Sequence, residues 1–136
     1  MKLHIGVNEV PEPLSNLSSF ELAKILESKY GLFSGYAELN KEKIAEYIAD
    51  DVAKSLETYL IRGEFGDRPL EEAGNQIAKE FQDFIDMRKF DGILPNTPTK
   101  ASLQGVSRRL KQKTGKPRPS FQDTGVMEAS IRAWFE

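Results

Sequence analysis

Apolar residues return at three- and four-residue steps in two long stretches of the chain. From Lys41 to Arg62 no Pro or Gly intervenes, and Ile44, Ile48, Val52, Leu56 and Tyr59 repeat at helical spacing. Ala45, Tyr47, Ala49 and Leu60 widen that stripe. Asn40 is a favourable N-cap and Gly63 a favourable stop, so the spacing predicts a helix whose stripe lies in the core or along a helix–helix seam. A second helix is predicted from Leu70 to about Met87, with Ala73, Ile77, Phe81 and Phe84/Ile85 on one face. Asp67 and Pro69 mark its start, Glu71 and Glu72 occupy its first turn, and Arg88 and Lys89 follow its far end, as the helix dipole favours. A shorter helix begins at Ser18-Ser19-Phe20-Glu21, which spells a capping box, and ends near Tyr30-Gly31. Phe20, Ala23, Ile25 and Leu26 are its expected apolar side.

At the two ends the period changes from helical to alternating. Leu3, Ile5 and Val7 predict a short edge strand within an N-terminal arm. Ile131 to Phe135 predicts a final strand, after a turn or short helix over Val126 to Ile131. Between Asp91 and Phe121 periodicity stops, broken by Pro95, Pro98, Pro117, Pro119 and three glycines. Val106 to Lys113 suits a short basic helix. A connection this long in a small domain usually carries function. The expected class is α+β: two or three amphipathic helices packed with a small β element, and a long basic loop before a C-terminal turn and strand. The expected division is an arm over 1–17, a helical part over 18–90, the basic loop over 91–120, and the turn and strand over 121–136, all in one domain.

Composition narrows the chemistry. The chain has 136 residues, no cysteine and one histidine, His4. Disulfides, thiol catalysis, cysteine-rich zinc sites and multi-histidine metal sites are therefore excluded, which argues against an enzyme. The apolar runs are too short for a membrane span, and the N-terminus lacks the apolar region of a secretory signal. No cofactor, metal site or membrane association is expected.

Charge is segregated. Residues 1–87 hold nine Lys/Arg against 17 Asp/Glu, a net −8. Residues 88–118 hold nine Lys/Arg against Asp91 alone, a net +8. An acidic body followed by a basic segment gives two electrostatic faces, suited to contact with another copy or with nucleic acid. A solvated loop is the plainer account of the same run.

Three motifs bear on function. Asp123-Thr124-Gly125 spells the signature of aspartic proteases, but such enzymes pair two carboxylates, and 11 residues cannot supply the enclosing sheets. A turn in which Asp123 and Thr124 cap and Gly125 relaxes the backbone is expected instead. Lys113-Thr114-Gly115-Lys116-Pro117 resembles a phosphate loop but lacks its first glycine and its Ser/Thr after lysine. The run Lys100, Arg108, Arg109, Lys111, Lys113, Lys116 and Arg118 can neutralise phosphates or acidic side chains without precise geometry. With no aromatic residue interleaved, it offers no stacking platform for single strands. Phe121 and Trp134 are candidate apolar anchors.

The order of elements over residues 69–135 resembles the head–tail joining proteins of tailed bacteriophages, variously called neck, tail-completion or virion morphogenesis proteins. Members carry a helix, a loop with P-x-T-x-x-K, and then K-P-L-x-D-T-G-x-L-x-x-S-I leading into a strand. Here Pro95, Thr97 and Lys100 match the first pattern, and Lys116, Pro117, Asp123, Thr124, Gly125, Ser130 and Ile131 match the second. Met127 stands at the usual leucine, and Arg118-Pro119-Ser120 lengthens the run before Phe121. The resemblance implies a structural protein, made in the host cytoplasm and built into the virion. It also implies a homo-oligomeric ring around the DNA channel, with portal or adaptor and tail proteins as neighbours. The basic loop would meet a neighbouring subunit or the genome. The alternative is a small nonspecific nucleic-acid-binding protein acting through residues 100–118.

Overall fold

A computed structural model of the chain describes residues 2–11, 17–66, 68–107, 112–113, 116–121 and 126–136. The fold is α+β, as expected. In chain order the elements are β1 (Leu3–Val7), α1 (Ser19–Tyr30), α2 (Leu32–Leu39), α3 (Lys41–Arg62) and α4 (Glu71–Asp86). They are followed by α5 (Lys100–Gln104), β2 (Val106–Ser107), β3 (Gln112–Lys113), α6 (Val126–Ala129) and β4 (Ile131–Phe135).

The alternating ends of the chain find each other. β1 and β4 pair antiparallel, with Leu3 opposite Phe135 and Val7 opposite Ile131. This ribbon packs on α4, where Gly74 is needed: a Cβ there would stand 2.5 Å from the Ala133 carbonyl oxygen. Behind β1, the Ser19 hydroxyl donates to the Asn8 carbonyl and accepts from the Val10 amide, so a fully buried serine clamps the arm to α1.

α4 is the centre of the core. Its face of Ala73, Ile77, Ala78, Phe81, Phe84 and Ile85 is buried, as the periodicity predicts. Aromatic rings fill the space around it: Tyr36 lies 4.2 Å from Phe81 between centroids, and Phe90 bridges Phe84 and Phe121. Such tilted and edge-to-face pairs add to area burial through the ring quadrupoles. The Tyr36 hydroxyl donates to the Ile77 carbonyl at 3.2 Å, and burial pushes its pKa far up, so it stays a neutral donor.

Four sequence expectations need correction. In α1 the buried side is Ser19, Leu22 and Ala23, while Phe20 and Ile25 are exposed. The apolar set of that helix is split between the core and a groove rather than gathered on one buried face. Asn40 does not cap α3 with its side chain; its amide donates back to the Tyr36 carbonyl at 3.0 Å and closes α2 instead. The expected basic helix over 106–113 is replaced at both of its described ends by strand, since 106–107 and 112–113 pair antiparallel as β2 and β3; residues 108–111 lie outside the described residues.

The fourth correction concerns the predicted stripe of α3. Only Ile44 and Asp51 are buried in that helix, and Val52, Leu56, Tyr59 and Leu60 face solvent. α3 runs antiparallel to α4, joined by Lys43 to Glu80 and by Lys54 to Glu72, both at 2.7 Å. These hydrogen bonds hold both ammonium groups above the usual lysine value. Beyond Lys54, which pairs with Glu72 in the first turn of α4, the helix continues for about two more turns.

Candidate functional site

Two helix starts are capped from another helix rather than by their own N-cap. Glu27 of α1 accepts from the amides of Phe33 at 2.7 Å and Ser34 at 3.2 Å and from the Ser34 hydroxyl, closing the N-terminus of α2. Asp51 of α3 accepts from the Ala73 amide at 2.8 Å, in the first turn of α4. A carboxylate here satisfies a free helix donor and meets the positive end of the dipole. These caps leave Glu27 and Asp51 with structural work, although both are acids near grooves or buried faces.

The basic segment is tied at its base by a buried polar knot. Ser120 is at its centre: its hydroxyl donates to Asp91 at 3.1 Å, accepts from the Thr99 amide at 3.2 Å and lies 3.2 Å from the Ser102 hydroxyl. Thr99 caps α5 by accepting from the Ser102 amide, and the Arg118 amide donates to the Ser102 carbonyl at 2.9 Å. The segment after residue 116 is thus stitched to the turn that begins at Phe90. The motif residue Thr97 has a local task, since its hydroxyl meets the carbonyls of Phe90 and Leu94 and tightens that turn.

This framework gathers cations at one end of the molecule. Lys100 opens α5 and is exposed; Lys116 is exposed, and Arg118 is half-buried. Arg88 joins them from the end of α4, donating to the Pro117 carbonyl at 3.4 Å. Lys89 beside it is also exposed, over the Phe84 ring. Asp91, the lone acid of residues 88–118, faces inward to Ser120. Asp86, in the last turn of α4, is exposed as well, so the exposed cations at this end outnumber the exposed acids and its net charge is positive.

The remaining expected site residues separate. Arg108, Arg109 and Lys111 of the basic run, and the turn residues Asp123, Thr124 and Gly125, lie outside the described residues. Lys113 is described only through the backbone of β3. Phe121 is buried, edge-on to Tyr30 and Phe90, so it anchors the basic segment to its own core. Trp134 is 46% exposed on the outer face of the ribbon, where it stacks on His4 with ring centroids 5.4 Å apart. His4 Nε2 lies 3.0 Å from a Glu136 carboxylate oxygen but off the hydrogen-bonding direction.

An apolar groove of about 320 Å³ lies between β1 and α1, lined by Ile5, Val7, Phe20, Ala23, Lys24 and Phe33. Its nearby carboxylate, Glu27, is engaged in capping α2. Among the described residues no group of three or more His, Asp or Glu side chains is placed to hold a metal ion. None of the described helices is long and apolar enough to cross a membrane.

Periodicity did not reveal the Asp51 cap, yet a signal was present. Asp51 stands seven residues after the buried Ile44, on the same helical face, where an acid requires a partner. No protein-family model matches the chain, and neither a curated protein nor a solved structure matches it.

Proposed function

We propose that this chain is a structural protein of a tailed phage virion that joins head to tail as a subunit of a ring around the DNA channel. The observation that carries the reading is the ordered set of motif residues over 69–135, from the helix through Pro95, Thr97 and Lys100 to Lys116, Pro117, Ser130 and Ile131. Physical support comes from the roles of those residues. Thr97 and Ser130 use their hydroxyls to tighten local turns, and Ile131 is fully buried at the start of β4. Residues that set local geometry rather than supply reactive groups suit a building block. Cations concentrated at one end of an otherwise acidic chain suit repeated contacts between copies, with the lumenal side free to meet the DNA backbone without reading its sequence.

The test is genetic. A nonsense mutation in this gene, within the phage that carries it, is expected to leave DNA-filled heads and separate tails in the lysate. Supplying the protein in trans is expected to restore joined particles. Complete, infectious virions formed without the protein would overturn the reading. Retention of duplex DNA by the isolated protein that falls steeply with salt, together with such intact virions, would favour the nucleic-acid-binding alternative.

A further inference from the structure

α3 carries five of the large apolar side chains left exposed among the described residues, Val52, Leu56, Tyr59, Leu60 and Ile61. At about 100° per residue, Tyr59, Val52, Leu56 and Leu60 fall within one sector roughly 100° wide. Ile44 and Asp51, turned to the body, lie on one side of that sector. Glu46, Asp50 and Glu57 lie on the other, all exposed. At the tip, Leu60 and Ile61 are 76% and 75% exposed, and Phe65 folds back to stack on Tyr59 at 4.5 Å. The four stripe residues and Phe65 together present on the order of 500 Å² of surface, a large part of one partner's share of a stable interface, while Ile61 lies about 100° further round, beyond the acidic flank.

The acidic row restricts what can cover the stripe. Two copies paired through antiparallel α3 helices would be related by a two-fold axis perpendicular to both. That axis keeps each flank on its own side, so Glu46, Asp50 and Glu57 would face the same acids of the partner. Like charges at that spacing repel. A cationic surface with apolar positions of its own matches both the stripe and its acidic flank. This chain provides one at the opposite end of α4, where Met87, Ile93 and Leu103 are exposed among Lys89, Lys100 and Lys116.

We propose that the exposed stripe of α3 is the docking surface for this cationic end of an adjacent copy of the same chain. The two surfaces are separated by the length of α4, about 24 Å at 1.5 Å per residue. The contact is therefore heterologous: each copy offers its stripe to one neighbour and its cationic end to the other. Repeated with a closing rotation, such a contact makes a ring. The inference rests on the ring reading above for closure and assigns the seam of that ring.

The experiment uses the full chain at low salt, followed by sedimentation velocity and native mass spectrometry. The unaltered protein is expected to associate with rising concentration and to dissociate as salt is added. A stripe variant, Glu46→Lys/Asp50→Lys/Glu57→Lys, and an end variant, Lys89→Glu/Lys100→Glu/Lys116→Glu, are each expected to remain monomeric with unchanged helix content. Mixed, they are expected to associate again, because the intact end of one meets the intact stripe of the other and the two reversed surfaces are themselves of opposite charge. Leu56→Asp is expected to weaken association of the otherwise unaltered chain by at least about tenfold. The proposal is overturned by an unaltered protein that stays monomeric at high concentration, by an end variant that associates as well as the parent, or by a mixture that does not associate. These readouts are independent of the lysate test. A mixture that does not associate removes the seam and leaves the virion role standing, whereas intact virions in the mutant lysate remove the role and leave the seam.

Discussion

α3 and α4 lie side by side, and both carry apolar residues at helical spacing, yet they are used in opposite ways. α4 buries seven of its 16 residues, enclosed by the β1–β4 ribbon on one side and by α3 on another. α3 buries two of 22, and one of these is Asp51. The two helices are equally polar on average, but α4 gathers its apolar residues on one face more sharply than α3 does, and their surroundings differ further. α4 has partners from its own chain on several sides, whereas the second half of α3 has run past the end of its neighbour. A helical stripe tells which face seeks an apolar partner; it does not tell whether that partner belongs to the same molecule.

The contrast is sharpest in core truncation. Phe81 is fully buried, with Phe33, Tyr36 and Phe90 around it, and Phe81→Ala removes a ring from the centre of this cluster. A loss of about 3–5 kcal/mol is expected, read as a lower urea midpoint at an unchanged slope. Gly74→Ala should come next. Alanine is the better helix former, but its Cβ would meet the Ala133 carbonyl oxygen at 2.5 Å, a backbone atom that cannot swing aside. Pushing the ribbon off α4 is expected to cost about 1–3 kcal/mol net of the propensity gain. Stabilisation by this change would show that ribbon and helix are only loosely joined.

A smaller effect is expected at the junction of the two helices. Asp51→Ala leaves the Ala73 amide without its carboxylate at the start of α4, where an N-cap loss costs about 0.5–2 kcal/mol. Asp51→Asn keeps an acceptor in place and is expected to recover most of it. The surface pairs that flank this cap, Lys43 with Glu80 and Lys54 with Glu72, contribute little by comparison. Equal loss with alanine and asparagine would assign the effect to charge rather than to the hydrogen bond.

Features governed by neighbouring residues were readable in the sequence. The Ser18 capping box forms with both of its hydrogen bonds, Gly31 and Gly63 end their helices in left-handed conformations, and both alternating segments become strands. Features requiring a distant partner were not. No local rule assigns the cap of α2 to Glu27 of the preceding helix, or the cap of α4 to Asp51, 22 residues before Ala73. Leu32 to Leu39 escaped notice as a helix because it opens on a glycine cap and contains Gly35, where a Cβ would strike Leu94. In the basic segment the charge was plain from composition. The knot of Asp91, Thr99, Ser102 and Ser120 was not, since short hydroxyl side chains separated by up to 29 residues leave no periodic trace.

The smallest expected effect distinguishes the two helices most directly. Leu60 is 76% exposed near the end of α3, and Leu60→Ala removes three carbons that make little contact within the monomer. Alanine also fits a helix at least as well as leucine, so the unfolding free energy should move by no more than about 0.5 kcal/mol. A purely solvated stripe predicts nothing further. A stripe covered by another copy predicts weaker association, because the same carbons then leave an interface rather than water. Measuring unfolding at a concentration where the protein is monomeric, and association at one where it is not, separates these terms. A variant with unchanged monomer stability and weakened association would mark α3 as a helix whose apolar partner lies outside its own fold. A large loss of monomer stability would mean that Leu60 packs within its own fold after all.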